Sequence, residues 1–592
     1  MRLPLVSVAA ALASGRPVLH ASALRPTMSA AVSPPVARRV PHTVSFGRVA
    51  GENRGASPMD PPIERADDLF WIRDDARKDE EVLGLLRAEN GYTQARTARL
   101  APFRDALYAE MLSHVEEDDD THPSPAADGY EYWSRTVKGA SFRQYLRRAR
   151  GSDAEEMLLD VNEVSALPFF ADTPGWDAAQ CDVRGLAPSP SGALLAYAVD
   201  GSGYETYNVR VRDAATGRER DEQIVGTAGS VAWAGDSTLF YTKFDHAHRP
   251  FQVWRHALGS DQADDALVYE DADELFNVGV AASRDGALVF VESASKETTE
   301  LHFIPTDRPR AAPTLVRARR YGVRYDADSH APSRSLFLTS NAGGSVNREL
   351  LVASLDAPAE WAPVRVAGGG GAPVLAHSAS RSLGGVAAFA DFLAVTGREG
   401  GFTQCWVVPL APRGAAAAAA GAHRLAFDAD AFTVGLASNL LFESGGKLRV
   451  DYSSMTSPPA LLEFDVASRA CATLKTKPVP NYDASLYRTA RTEVAARDGE
   501  AIPVTLLWRP DAVGDAMAEG GGGAPCHLYG YGSYGICMDP SFSASVLPLV
   551  DRGVVFAIAH VRGGGEMGHH KWCRPRTRRR RRARAIAAAR SF

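Results

Sequence analysis

Residues Ala193–Arg212 read A-L-L-A-Y-A-V-D-G-S-G-Y-E-T-Y-N-V-R-V-R. Two short runs that suit β-strands, Ala193–Val199 and Tyr207–Arg212, stand on either side of a polar stretch that contains two glycines. Glycine readily adopts the positive φ angles of tight turns, and polar residues around it are typical of connections between strands. The stretch therefore predicts a pair of strands joined by a turn.

Strand pairs of this kind recur along the chain from about Tyr130. Successive openings are separated by roughly 45–65 residues, near the period of propeller blades, and four are followed by a second strand that starts 14 residues after the first. The seven openings are Tyr130–Thr136, Ala193–Val199, Thr238–Lys243, Ala287–Val291, Ser335–Thr339, Phe392–Thr396 and Lys447–Tyr452. Because a four-stranded blade cannot bury both faces alone, blades pack in a ring. The repeats therefore predict a seven-bladed β-propeller, assigned to residues 114–479.

The segment before the repeats has helical character. Asp79–Ala98 and Pro102–Ser113 predict two helices, and apolar residues of the second stretch fall four apart, as on one face of a helix. We interpret this apolar stripe as ordinary core packing. Residues 34–113 are therefore predicted to form a helical N-terminal arm.

Strands and a helix alternate after the repeats. The predicted elements are a hairpin over Arg491–Pro510, a buried strand over His527–Tyr531, a short helix over Ser543–Asp551 and a strand over Val554–His560. Asp498-Gly499 is a strong hairpin signal, and Pro548 would interrupt the short helix. The last strand is almost continuously apolar, as in a parallel strand covered on both faces. This order predicts the N-terminal portion of an α/β-hydrolase domain over residues 480–568.

Two glycine-rich segments accompany these elements. The first, Leu528–Gly535, reads L-Y-G-Y-G-S-Y-G, and the second, Val561–Gly568, reads V-R-G-G-G-E-M-G. With W-I-R-D-D at Trp71–Asp75 and D-G-S-G-Y-E-T-Y at Asp200–Tyr207, they resemble the serine peptidases of the prolyl oligopeptidase family, in particular its oligopeptidase B members. The resemblance covers about residues 34–568.

The resemblance carries expectations about function. It implies a serine-type endopeptidase that hydrolyses short peptides after basic residues, with a seven-bladed propeller that caps the active site and admits only short peptides. It implies no cofactor and a cytoplasmic location. Tyr531 matches the position whose hydroxyl helps to bind the oxyanion. Asp539 keeps the first carboxylate of a D-x-D motif that pairs with basic substrate side chains, while Ser541 replaces the second.

The residues that perform acyl transfer are missing from this sequence. The strained turn that holds the nucleophile of an α/β-hydrolase requires the pattern G-x-S-x-G, which occurs nowhere in the 592 residues. Ser533 lies in Y-G-S-Y-G, a loop rather than such a turn. We therefore expect a truncated chain without peptidase activity. The alternative is a non-catalytic propeller that serves as a binding module.

The two ends of the chain differ from its body. Residues 1–33 are rich in Arg, Ala and Ser, and Glu52 is the first acidic residue. This composition fits an organelle transit peptide for a mitochondrion or plastid, a secretory signal or a plain extension. Residues 569–592 form an Arg-rich tail, interpreted as out-of-frame sequence, with a nucleic-acid or nuclear-localisation patch as the alternative.

Composition excludes several partners for the body of the protein. A net charge of −6 gives no reason to expect nucleic-acid binding, and no apolar run approaches the ~18–20 residues that span a bilayer. The six cysteines form no C-x-x-C pair, and the adjacent His569 and His570 lack the spacing of metal ligands. The sequence therefore predicts no metal site.

Overall fold

The computed structural model describes residues 33–52, 54, 58–166, 177–368, 372–411, 416–517 and 521–568. The predicted targeting extension, apart from residue 33, and the whole Arg-rich tail lie outside the described residues. The chain divides into two compact units, one spanning Gly15–Ser113 and the other containing His114–Phe592. Among the described residues, no helix combines the length and the apolar composition that a membrane crossing requires.

The first unit is mainly helical. A small antiparallel sheet pairs Thr43–Phe46 with Ile63–Ala66. Two α-helices follow, Glu80–Thr97 and Ala101–Ser113, with short 3₁₀ turns at Phe70–Ile72 and Ala98–Leu100. The Asp79 carboxylate caps the longer helix by accepting hydrogen bonds from two backbone N–H groups of its first turn. Both predicted helices are therefore present, but the interpretation of the apolar stripe as core packing is wrong, because no residue of Ala101–Ser113 is buried.

The second unit begins with six antiparallel sheets whose strands follow one another in chain order, apart from one short extra strand in the first sheet. The first sheet contains Asp119–Asp120, Ser124–Pro125, Tyr130–Thr136, Gln144–Ala149 and Glu156–Asp160. The second contains seven strands, Asp182–Pro188, Leu194–Asp200, Tyr207–Asp213, Glu219–Trp233, Thr238–Phe244, Pro250–Ala257 and Ala266–Glu270.

Each of the next four sheets has four strands. They are Asn277–Ala282, Leu288–Ala294, Thr299–Pro305 and Thr314–Leu315; Tyr325–His330, Ser335–Ser340, Glu349–Ser354 and Ala357–Pro363; Arg381–Ala388, Phe392–Glu399, Phe402–Pro409 and His423–Arg424; and Phe432–Leu436, Lys447–Ser454, Ala460–Asp465 and Cys471–Thr476. Short helical segments lie between strands, at Val161–Val164, Ala178–Gln180, Gln262–Asp264, Ala331–Ser333 and Ala342–Gly344.

Each of the seven stretches predicted to begin a repeat is a strand, but none of them is the first strand of its sheet. In each four-stranded sheet the predicted element is the second strand, and a further strand precedes it. The missed first strands include Asn277–Ala282 (N-V-G-V-A-A) and Tyr325–His330 (Y-D-A-D-S-H). Their glycine, alanine and aspartate residues are depleted in strands, so propensity gave no signal for them.

Neighbouring sheets bury side chains against each other. All six residues of Ser335–Ser340 are buried. Leu336 and Leu338 pack in the apolar cluster shared with the preceding sheet, whereas Phe337 packs in the cluster shared with the following sheet. Because successive side chains of a strand point to opposite faces, this alternation covers both faces of the sheet. Packing between sheets therefore supplies most of the core.

The carboxylates of Asp326, which is half-buried, and Asp328, which is buried, also join adjacent sheets. Asp326 accepts a hydrogen bond from the backbone N–H of Val386 at 2.9 Å, and Asp328 accepts one from Ala388, also at 2.9 Å. Burial raises the pKa of both carboxyl groups, that of Asp328 to about 6. The two residues lie on the strand that propensity missed, so their role is to fix that strand against the next sheet.

Hydrogen bonds from side chains, and not strand pairing, join the first sheet to the last. Within the described ranges, no strand of the first sheet pairs with a strand of the last. Instead, the Lys475 ammonium donates to the Asp119 carboxylate at 2.5 Å, and the Arg449 guanidinium donates to the Pro123 carbonyl at 2.9 Å. A cavity of about 1140 Å³ is lined by residues of both sheets. We call this junction the seam.

A four-stranded sheet, here called the C-terminal sheet, completes the described chain. Its spatial order is Arg488–Ala495, Ala501–Trp508, Val555–Ala559 and Cys526–Tyr529, with only the last two strands parallel. Small helical segments surround it, at Ala484–Leu486, Pro510–Val513, Gly514–Met517, Ala544–Val546 and Leu547–Val550. The predicted hairpin and the last strand are thus confirmed, and Gly499 takes the positive φ of +85° that the turn requires.

Two details of this region differ from the prediction. The strand predicted to be buried over His527–Tyr531 is observed at Cys526–Tyr529, and all four of its residues are exposed, because the strand lies at the edge of the C-terminal sheet as described. Pro548 does not interrupt the short helix, because it lies in the first turn of Leu547–Val550, where proline removes no helical hydrogen bond.

Candidate active site

The two glycine-rich segments lie beyond the same edge of the C-terminal sheet. The first continues directly from Cys526–Tyr529 and the second follows Val555–Ala559, and these two strands are parallel. The carboxyl ends of parallel strands meet at one edge, and ligands of open α/β sheets bind beyond that edge. The topology therefore places both segments where a binding site is expected.

The two segments contact each other through their backbones. Gly535 N–H donates to the Gly563 carbonyl at 2.8 Å, and Gly565 N–H donates to the Gly535 carbonyl at 3.2 Å. At Gly563, φ is +104° and a Cβ atom would lie 1.9 Å from the Gly532 carbonyl oxygen. No other residue fits there, so glycine is required for the close approach of the two chains.

Tyr531 presents its ring to solvent in this region. Its side chain is 48% exposed, and the hydroxyl has no hydrogen-bond partner among the described residues. Tyr529 is similarly open, at 47%. The ring of Tyr534, in the same segment, lies 4.2 Å from the Lys296 ammonium of the sheet that begins at Asn277. A free phenolic hydroxyl can donate a hydrogen bond to an incoming group, which an oxyanion donor must do.

The Asp539 carboxylate forms an ion pair with an arginine of the same chain. Arg398 Nη1 donates to Asp539 Oδ1 at 2.7 Å, and Nη2 donates to Oδ2 at 2.8 Å. Arg398 extends from the strand Phe392–Glu399. The ion pair therefore links one of the six antiparallel sheets to the residues that follow the first glycine-rich segment. Burial lowers the pKa of Arg398, but the Asp539 carboxylate outweighs burial and raises it overall.

A buried glutamate supports the backbone next to Asp539. Glu566 lies in the second glycine-rich segment, is buried, and accepts a hydrogen bond from Met538 N–H at 3.0 Å. Burial raises the pKa of the nearby Cys537 thiol, so this cysteine is neutral at pH 7. Glu566 was not predicted as a site residue, although a lone carboxylate after three glycines was a signal in the sequence. Arg398 gave no signal, since 141 residues separate it from Asp539.

His560 lies between the last strand and the second glycine-rich segment. It is buried, and its Nε2 atom shares a hydrogen bond with Thr505 Oγ1 at 2.8 Å. Burial lowers the pKa of His560 to about 4, and the Arg491 guanidinium acts in the same direction. The imidazole is therefore neutral at pH 7 and is a structural neighbour of the site.

The described residues do not assemble a catalytic triad. Within the described ranges, no histidine forms hydrogen bonds to both a serine hydroxyl and a carboxylate, and no group of three His, Cys, Asp or Glu side chains could hold a metal ion. The site thus contains a candidate oxyanion donor and a candidate cation-binding carboxylate, in addition to the glycine-rich backbone.

Sequence comparison identifies the family. The profile described as prolyl oligopeptidase, N-terminal beta-propeller domain, matches residues 48–477. The chain belongs to the prolyl oligopeptidase family of serine peptidases. Dipeptidyl aminopeptidase BI of Pseudoxanthomonas mexicana is 33% identical over 573 residues, which cover 93% of this chain and 72% of that protein. The family profile also shows that the six antiparallel sheets belong to a β-propeller.

Solved structures support the same family assignment. Oligopeptidase B from Leishmania major has a TM-score of 0.82 at 34% identity and covers 92% of this chain and 73% of its own. Oligopeptidase B from Trypanosoma brucei, in a closed form with covalently bound antipain, has a TM-score of 0.80 at 35% identity over 91% of this chain and 73% of its own. The predicted resemblance of this prolyl oligopeptidase family member to oligopeptidase B is thus confirmed.

We expect Gly563→Ala to destabilise this prolyl oligopeptidase family member strongly, because the new Cβ atom would collide with the backbone carbonyl of Gly532. Gly535→Ala is the matched control: Gly535 also has a positive φ, +74°, but a Cβ atom there meets nothing within 4 Å. The control should lose about 1–2 kcal/mol, and Gly563→Ala at least ~2 kcal/mol more, in urea unfolding followed by tryptophan fluorescence. Equal losses would contradict the close approach.

The buried His560 predicts a pH dependence of stability. Its pKa in the folded protein, about 4, lies below the ~6.5 of an unfolded histidine, so the unfolded chain binds the extra proton first. The contribution of His560 to the free energy of unfolding is therefore complete above pH 6.5. It decreases by up to about 3 kcal/mol as the pH falls toward 4. Urea midpoints of the wild type and His560→Gln, measured from pH 7.5 to 4.5, should diverge across this window. Parallel curves would refute the assignment.

Proposed function

We propose that the protein is an oligopeptidase-B-like serine endopeptidase that hydrolyses short peptides after basic residues. The observation that carries this proposal is the backbone contact between the two glycine-rich segments beyond the carboxyl ends of parallel strands. The contact leaves the hydroxyl of Tyr531 free to donate a hydrogen bond. The likeness to oligopeptidase B structures over 91–92% of this chain supports the same class of substrate.

We further propose that the propeller has seven blades. The seven-stranded sheet counts as two of them, which share the long strand Glu219–Trp233. Up to Thr227 this strand pairs with Tyr207–Asp213, and from Thr227 onward it pairs with Thr238–Phe244. A register shift follows Thr227, where a glycine at position 229 has a positive φ, and such irregularities allow a strand to bend.

The domain assignment is part of the same proposal. The arm occupies residues 34–113, the propeller residues 114–479 and the N-terminal portion of an α/β-hydrolase domain residues 480–568. Residues 1–33 remain a proposed targeting extension and residues 569–592 a proposed out-of-frame tail. The proposed location is the cytoplasm, with a mitochondrion or plastid as the alternative that the Arg-rich N-terminus favours.

The proposed chemistry assigns two roles within these residues. Tyr531 donates its hydroxyl to the oxyanion of the tetrahedral intermediate, where a fixed donor is most effective. Asp539 binds a basic substrate side chain through a charge-assisted hydrogen bond. The serine nucleophile, the histidine base and the orienting acid that acyl transfer also requires are assigned to no residue of this sequence, because it contains no G-x-S-x-G.

A polypeptide of these 592 residues alone should therefore show no peptidase activity. The test is the hydrolysis of a fluorogenic dipeptide substrate with arginine before the fluorophore, with a full-length oligopeptidase B as the positive control. Turnover that a serine-directed phosphonate abolishes would refute the expectation. A monomeric protein with a cooperative melt and no activity, from a transcript that encodes no G-x-S-x-G after Gly568, would instead favour a propeller that acts as a binding module.

Tyr531→Phe tests the oxyanion assignment in a polypeptide whose reading frame continues beyond Gly568 into a nucleophile. The substitution should lower kcat by ~10²–10³, about 3–4 kcal/mol, because the hydroxyl acts on charge that appears only in the transition state. KM should stay nearly unchanged. The matched control is Tyr529→Phe, which removes the hydroxyl of an equally exposed tyrosine two residues earlier and should do much less. Equal and small effects of the two substitutions would contradict the assignment.

A further inference from the structure

Arg398 and Asp539 pair as a substrate arginine and its binding site would pair. The guanidinium donates two parallel hydrogen bonds, of 2.7 and 2.8 Å, to the two carboxylate oxygens. The side chains are 18% and 27% exposed, so the pair is partly shielded from water and from salt. A bidentate, charge-assisted pair of this kind is among the strongest polar contacts in proteins, and only a guanidinium can form it with a carboxylate.

We propose that Arg398 is an internal competitor, which occupies the cation site of Asp539 until the basic side chain of a peptide displaces it. The inference rests on the proposed function, in which Asp539 binds that side chain. The propeller itself supplies the competing cation, because Arg398 lies on the strand Phe392–Glu399. Recognition of a basic residue then requires the loss of a contact between a propeller sheet and the region that follows the first glycine-rich segment.

A second carboxylate acts electrostatically on Arg398. Glu566 is buried in the second glycine-rich segment, and only its Oε1 atom is used by the Met538 N–H. Its negative charge acts on Arg398 in the same direction as that of Asp539. The charge of Glu566 therefore still stabilises the guanidinium when Asp539 releases it, so the displaced cation is not left without a compensating charge.

A competitor has a specific thermodynamic signature. When an internal group fills a site for most of the time, every ligand of that site binds more weakly by the same factor, the fraction of molecules in which the site is open. Removing the competitor should therefore increase the affinity for arginine and lysine ligands by the same factor. The preference for arginine over lysine should persist, because it comes from the bidentate geometry at Asp539 and not from Arg398.

The experiment measures the affinity of the 592-residue protein for acetyl-Arg-Arg-amide and acetyl-Lys-Lys-amide by isothermal titration calorimetry at low ionic strength. Arg398→Met should bind both peptides about tenfold more tightly than the wild type, the gain expected if the site is open in roughly a tenth of the molecules. Asp539→Asn should lose binding of both peptides. Arg424→Met is the matched control, since Arg424 lies in the same sheet and pairs with Glu399 on the surface; its affinities should equal those of the wild type.

Each outcome of these measurements either supports or overturns the role of Arg398 as a competitor for the Asp539 site. If Arg398→Met is folded and binds no more tightly than the wild type, Arg398 is a structural tie and the inference fails. If Arg398→Met does not fold, Arg398→Lys decides instead: it keeps the cation but cannot form the bidentate pair, so it should bind both peptides ~3-fold more tightly, and no gain overturns the inference. If Asp539→Asn binds as the wild type does, Asp539 is not the cation site. The peptidase proposal itself is judged separately, by turnover in the longer reading frame.

Discussion

The candidate site depends on the distance between two backbones. Gly532 and Gly563 approach so closely that no side chain fits between them, and this contact fixes the first glycine-rich segment against the second. Tyr531 precedes the contact, and Asp539 follows it after a short loop that Glu566 holds through the backbone of Met538. The close approach therefore determines where Tyr531 and Asp539 lie, and backbone contacts suit this task because they have little freedom to adjust.

The propeller adds a second constraint, because a sheet with two apolar faces needs a neighbour on each side. Where apolar side chains fill the space between sheets, as around Phe337, burial holds the neighbouring sheets together. Where the backbone would otherwise lack partners, the carboxylates of Asp326 and Asp328 supply acceptors between adjacent sheets. The same principle operates at Arg398 and Asp539, where one propeller sheet contributes a charged group to the region that carries the candidate chemistry.

Much of this fold follows from local sequence, and the remainder follows from distant contacts. Repeats such as Ala193–Val199 and the Asp498-Gly499 turn are local patterns, so the strands and the hairpin were predicted correctly. The strand Tyr325–His330 was missed because its aspartates are placed by the next sheet and not by propensity. Tyr531 was visible through a motif, whereas the pairing of Asp539 with a residue 141 positions earlier leaves no trace in a single sequence.

The seam has a consequence for the time course of folding during synthesis. Its Lys475–Asp119 contact joins residues 356 positions apart, so it cannot form until nearly the whole propeller has left the ribosome. Closing a flexible loop of that length costs about 5 kcal/mol of chain entropy, whereas the sheets in between close short loops as they emerge. A nascent chain therefore accumulates sheets in an open arc, and the apolar faces beside the seam stay uncovered until the last strands arrive.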